Sequence, residues 1–267
     1  MASKKYTLLV AVLVFFQLAS SAQTKTDWGW DWKDSSKVPT KSMPQYNEFL
    51  NNQFPYPPKP RNAWELGFSF GSGVIIGDVP FFVKNAFGNS YNGGLVGGLS
   101  LRKAIGHVVS LRGSLNYSAV SIPSFRAPGQ NIGAVKNHTA MGSMDVLFSL
   151  NSFSYYRGNP KTDIYLLGGY SLIATQIKRR NAAGDYRLAY FDRTETAGDI
   201  QDLTLIHAFS YGGGIAFKIS PKFNIGFEQK FTAPIYGNDN LDGFKASLSR
   251  GDLISYSTIR FNFNLGN

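Results

Sequence analysis

The stretch Ser255-Tyr256-Ser257-Thr258-Ile259-Arg260-Phe261-Asn262-Phe263-Asn264-Leu265 decides the fold. Successive side chains of a β-strand point to opposite faces. Ile259, Phe261, Phe263 and Leu265 therefore share one face, and Thr258, Arg260, Asn262 and Asn264 share the other. A face that carries an arginine is no ordinary core, while a row of aromatic residues near a chain end suits lipid. The pattern reads as the closing strand of a membrane β-barrel.

Working back from it, the same period marks seven more strands, at about 64–71, 94–103, 108–119, 140–150, 163–177, 203–218 and 223–232. The third is the plainest: Val109, Leu111, Leu115 and Tyr117 alternate with Ser110, Arg112, Ser114, Asn116 and Ser118. Lengths near ten residues are what a tilted strand needs to cross a bilayer. Short connections follow strands two, four and six (104–107, 151–162, 219–222), and long ones follow strands one, three, five and seven (72–93, 120–139, 178–202, 233–254). Alternating short and long connections mark a transmembrane barrel with periplasmic turns and extracellular loops. An even strand count places both termini in the periplasm. The expected fold class is all-β, an eight-stranded antiparallel up-and-down transmembrane β-barrel with an extended N-terminal periplasmic arm. A soluble barrel of the lipocalin kind alternates with the same period. Charged residues, however, make up only 16% of this chain, too few to coat a water-facing wall when about 25% is usual.

The chain before the barrel divides in two. Residues 1–22 read as a cleaved secretory signal, with Lys4 and Lys5 ahead of an apolar run at 8–18 and the small residues Ser20-Ser21-Ala22. That run is too short to span a bilayer as a helix. Residues 23–62 form a Trp/Pro-rich arm, and 63–267 the barrel. Six prolines between Pro39 and Pro60 deny the arm a sheet ladder and predict an extended segment. Trp28, Trp30 and Trp32, at alternate positions, make one apolar ridge if the chain is extended. The ridge either folds back onto the barrel mouth or the lipid surface, or docks a periplasmic or outer-membrane protein partner, for which tryptophan is a typical anchor.

Chemistry is sparse. The absence of cysteine excludes disulfides and thiolate metal sites. A net charge of +10 suits basic loops, or an anionic partner such as lipopolysaccharide phosphates. Nucleic acid is not expected, since no basic run with interleaved aromatics occurs. The three histidines do not converge: His107 falls in a turn, His138 in the second long loop, and His207 on the lipid column between Leu205 and Phe209. No catalytic, cofactor or metal site is expected, and the chain reads as a non-enzyme. The glycines at 93–94 and 212–214 lack the strand–loop–helix setting of a phosphate loop and mark bends or close backbone approach.

The polar column is the more informative feature. Glu65, Arg102, Arg112, Asp145, Glu228, Lys230 and Arg260 all fall opposite the greasy face. An eight-stranded barrel is only wide enough inside for side chains to fill it. Buried charges must be paired, because an isolated ion in low dielectric costs several kcal/mol. These seven are expected to form a charge network in the barrel interior, either plugging it or lining a narrow gated path.

Residues 27–37 (DWGWDWKDSSK), 43–49 (MPQYNEF) and the opening Trp64-Glu65-Leu66-Gly67 resemble the N-terminal part of OmpA-family outer-membrane proteins of the Bacteroidota. Ile76-Gly77-Asp78-Val79 is similar to small barrels of that group, including the PorG type linked to type IX secretion. The resemblance implies an exported outer-membrane protein in contact with lipid. It does not carry over peptidoglycan anchoring, because the chain ends at Asn267 without the globular domain that performs it. The function expected is a structural or scaffolding role in the envelope. A transport barrel for small solutes, or an accessory subunit of a type IX secretion-type assembly, is the alternative.

Overall fold

The structure is a computed structural model, and it describes residues 35–38, 40–53, 64–77, 82–85, 88–127, 130–152, 162–180, 186–188, 204–220, 222–235, 241 and 251–265. The signal segment and Trp28, Trp30 and Trp32 lie outside the described residues. Thirteen strands are present among the described residues: β1 (Trp64–Ile76), β2 (Phe82–Asn85), β3 (Gly88–Tyr91), β4 (Gly93–Ala104), β5 (Val109–Ile122), β6 (Phe125–Ala127), β7 (Gln130–Ile132), β8 (Val135–Ser149), β9 (Thr162–Arg180), β10 (Tyr186–Leu188), β11 (Thr204–Ser220), β12 (Phe223–Pro234) and β13 (Leu253–Asn264).

Eight of them close a barrel in the order β1-β4-β5-β8-β9-β11-β12-β13, every neighbour antiparallel, with β13 pairing back onto β1. Following direct partners around the wall from Trp64 leads through Lys103, Leu111, Val146, Gly168, Tyr211, Phe231 and Ser255 to Val74, ten residues further along β1. Strand number and stagger together fix tilt and width; ten over eight strands gives a tilt of about 40° and a lumen that side chains fill.

The two faces separate as the sequence predicts. The outer wall carries Leu95, Leu115 and Met144, 65%, 70% and 70% exposed, among many other apolar residues. The inner wall holds a column of Ser, Thr, Asn and charged residues, all buried. So large an apolar surface outside and so polar a lining inside are stable only with hydrocarbon around the barrel. The fold is a closed, eight-stranded transmembrane barrel. Gln229 on the outer belt finds its own partners: it donates to Ser255 at 2.7 Å and accepts from Ser257. In hydrocarbon an unpaired amide is costly, and these two bonds offset part of that cost.

Three expectations are corrected. The segment 23–62 is not extended throughout: 3-10 turns at Ser35–Lys37 and Thr40–Ser42 lead into helix α1 (Met43–Leu50). Pro44 sits in the first turn of α1, where its missing N–H is no loss, and the next proline is Pro55. The long connections are not plain loops. β2 and β3 form one hairpin, β6 and β7 another, and β10 adds to the edge of β9. The strands also run further toward these loops than alternation suggested, so His138 lies within β8 and not in a loop. β1 continues past Gly71 to Ile76, through residues assigned from sequence to the first long connection; a methyl on Gly71 would collide with the backbone of β13.

Candidate functional site

The lumen is filled in three tiers. Nearest the short turns, Arg102 Nη1 lies 4.0 Å from Glu65 and its Nη2 3.9 Å from Asp163, and Nη2 donates to Ser110 at 3.0 Å. Ser149 donates to the same aspartate. In these contacts Arg102 stands between two carboxylates.

The middle tier is built on Glu228. Its carboxylate receives both Nη atoms of Arg112, at 2.6 and 3.1 Å, in the forked geometry that makes Arg–carboxylate pairs strong. It also accepts from the Tyr165 hydroxyl at 2.7 Å and from Arg260 Nη1 at 3.4 Å. Arg112 Nη2 reaches Asp145 at 3.1 Å, and Asp145 takes the Lys230 ammonium at 2.8 and 3.0 Å. Lys230 further donates to Ser143 at 2.8 Å, and Arg260 Nη2 to Ser100. Three cations face two anions here.

The upper tier, toward the long loops, is apolar. Ile75, Val96, Val120, Met141, Ile173 and Ile206 converge across the lumen, each at most 4% exposed. Leu241, from the connection between β12 and β13, is buried among them, its carbonyl accepting from Asn137 Nδ2 at 2.7 Å. Asn137 Oδ1 in turn accepts from Thr139 at 2.6 Å and Thr175 at 2.9 Å. A polar path along the axis is therefore interrupted from above by hydrocarbon and below by paired charges.

The seven charged residues singled out from sequence all lie inside the barrel, and all seven take part in these ion pairs. Sequence reasoning missed Asp163 and Tyr165, which complete the network from β9. Their alternation with outward Ile164 and Leu166 was the signal. Two histidines pair on the outer wall, His138 Nδ1 with Tyr117 Oη at 2.9 Å and His207 Nδ1 with Tyr170 Oη. No group of three His, Cys, Asp or Glu among the described residues could hold a metal.

Glycine makes room for the network at two places. A methyl at Gly67 would lie 2.5 Å from Ser100 Oγ and 2.8 Å from Arg260 Nη2, and one at Gly214 would lie 2.5 Å from the Tyr165 hydroxyl. Gly67→Val is thus expected to push Arg260 off Ser100 and lower stability by about 1–3 kcal/mol, the usual cost of overpacking. Gly113→Ala, with nothing within 4 Å of the new carbon, should be neutral within experimental error. Urea unfolding in detergent compares the two; equal midpoints would sink the packing argument.

No protein-family model matches the sequence, and no curated protein matches it. Among solved structures the barrel is similar to Ail, the attachment invasion locus protein of Yersinia pestis, at 10% identity and a TM-score of 0.41, over 76% of this chain and 98% of that one. Neisserial surface protein A gives 9% identity and 0.42, over 76% and 97%. The N-terminal β-barrel domain of Pseudomonas aeruginosa OprF gives 12% and 0.38, over 76% and 98%. Likeness at this level adds nothing to the fold that the strand pairing already shows.

Proposed function

We propose that the protein is a non-conducting, non-enzymatic scaffold of the Gram-negative outer membrane whose N-terminal arm docks a periplasmic or membrane partner. One observation carries this reading: the lumen is spent on holding the barrel together, with every charge of the network facing a counter-charge and an apolar tier above. Among the described residues the charged side chains of the network are engaged with one another. The outer membrane follows from the architecture, since closed antiparallel barrels with short turns at one end and long loops at the other are built for that bilayer. The apolar first stretch, with Lys4 and Lys5 before it, supports export by a cleaved signal. The OmpA-type resemblance of residues 27–49 supports a Bacteroidota envelope role, with a type IX secretion-type assembly as the more specific setting.

Specific contact is assigned to the arm because, among the described residues, the barrel end opposite the long loops carries only short turns. Trp28, Trp30 and Trp32 are its anchors, with α1 as a short rigid element between them and β1. Deleting residues 27–33 from the full chain should leave a folded barrel in the outer membrane while a co-purifying envelope protein is lost. If the same protein still co-purifies at the same yield, the arm is not the docking element.

A further inference from the structure

Among the described residues, every buried member of the apolar upper tier but one stands on a wall strand. The exception is Leu241, which enters from the connection between β12 and β13. Its carbonyl is bound by Asn137 of β8, on the far side of the barrel. From β13 the ring reaches β8 through β1, β4 and β5 one way and through β12, β11 and β9 the other. Residue 241 therefore crosses the mouth and is met by the opposite wall.

The meeting is prepared by residues that belong to the wall. A carbonyl only accepts, so the amide nitrogen of Asn137 has to face Leu241 and its oxygen is left for donors. Two donors are in place, the hydroxyls of Thr139 and Thr175, at 2.6 and 2.9 Å from Oδ1. Asn137, Thr139 and Thr175 are at most 2% exposed. The two hydroxyls stand on β8 and β9, so the amide is aimed by the sheet and not by Leu241. The carbonyl it receives is buried outside the ladder, where an unpaired acceptor is costly. The Leu241 side chain is itself 1% exposed, in one cluster with Met141, Ile173 and Ile206. Members of this tier differ in what holds them. A wall residue leaves the lumen only if its strand leaves the sheet. Leu241 is held by side-chain packing and by the carbonyl bond, so it can withdraw while the barrel stays closed.

The geometry points to a built seat in the long-loop mouth, apolar walls beside an aimed amide donor, that takes an aliphatic residue together with its backbone carbonyl. Leu241 fills this seat in cis and is the removable stopper of the lumen, with Asn137 as its catch. The seat lies at the end of the barrel away from the arm, and it stands whether or not the arm docks a partner.

The chain has no cysteine, so the thiol of Met141→Cys, further down β8 than Asn137, reports on the stopper alone. Its reaction with N-ethylmaleimide is followed by mass spectrometry on the full chain in detergent, and folding of every variant is checked by the heat-dependent shift in gel mobility. With Leu241 in place the reaction should be slow. Adding Leu241→Gly should speed it at least about tenfold, as the loss of a buried leucine implies. Adding Asn137→Ala should speed it by about three- to tenfold, the worth of one buried hydrogen bond. Leu241→Ala and Thr175→Val, milder changes at the same two places, should move the rate the same way by less. Leu95→Ala, which removes apolar volume from the outer wall, should leave it unchanged. Fast reaction with Leu241 in place, or no change on its removal, would overturn the stopper, because the wall alone would then set access. A rise with Leu241→Gly but none with Asn137→Ala would overturn the seat.

Discussion

Glu228→Gln lowers the stability of the barrel by about 3–5 kcal/mol, and Lys230→Met costs no more than about 1.5 kcal/mol, when both are unfolded in urea from the same detergent. Charge balance sets the order. The middle tier holds Arg112, Arg260 and Lys230 against Glu228 and Asp145. Neutralising Glu228 leaves three cations with one anion, and Arg112 loses its forked acceptor. Removing Lys230 leaves two cations with two anions, and Asp145 keeps Arg112. Breaking a buried pair is costly because an uncompensated charge stays behind, not because the pair itself is worth that much. Glu228→Gln combined with Arg260→Met should therefore recover part of the loss. Equal losses for the two single variants would show that hydrogen-bond geometry, and not charge balance, governs the lumen.

The second large effect is on conductance. In planar bilayers the wild-type protein should show no steady current, and neither should Glu228→Gln, although its charged tier is broken. The apolar tier of Met141, Ile173, Ile206 and Leu241 still closes the axis. Replacing Ile173 and Ile206 by serine in the Glu228→Gln background should produce discrete openings, because only then are both barriers weakened. Sustained unitary currents from the wild-type chain would refute the sealed lumen. Openings from Glu228→Gln alone would locate the whole barrier in the charges.

Much of this was legible in the sequence, for a physical reason. Period two is the pleat itself, and with one face in hydrocarbon no register slip is tolerated, so Leu111-Arg112 or Arg260-Phe261 can be assigned to opposite faces on sight. The interior charges followed from the same alternation. Strand ends toward the loops were less legible because there the code changes. Gly71 and Gly73 sit inside a strand where the neighbouring backbone and Tyr256 leave no room, yet glycine carries no side chain to show the alternation, so alternation alone ends the strand at 71. Asp163 was passed over for a related reason: it sits at the first inward position of β9, where a charge reads equally well as a turn residue. Helix α1 was hidden by its proline, which is compatible with a helix only in the first turn, a position that alternation cannot identify.

The distribution of the lumen charges along the chain bears on how the barrel is made. The first four wall strands supply Glu65, Arg102, Arg112 and Asp145; the last four supply Asp163, Glu228, Lys230 and Arg260. Within the network each half contributes two cations and two anions. Yet three pairings span the halves: Arg112 with Glu228, Lys230 with Asp145, and Arg102 with Asp163. Each joins strands that are not neighbours in the wall, so each needs the sheet curled until its inner face meets itself. The charges thus act as struts across the curled sheet, tying the early strands to the late ones from within.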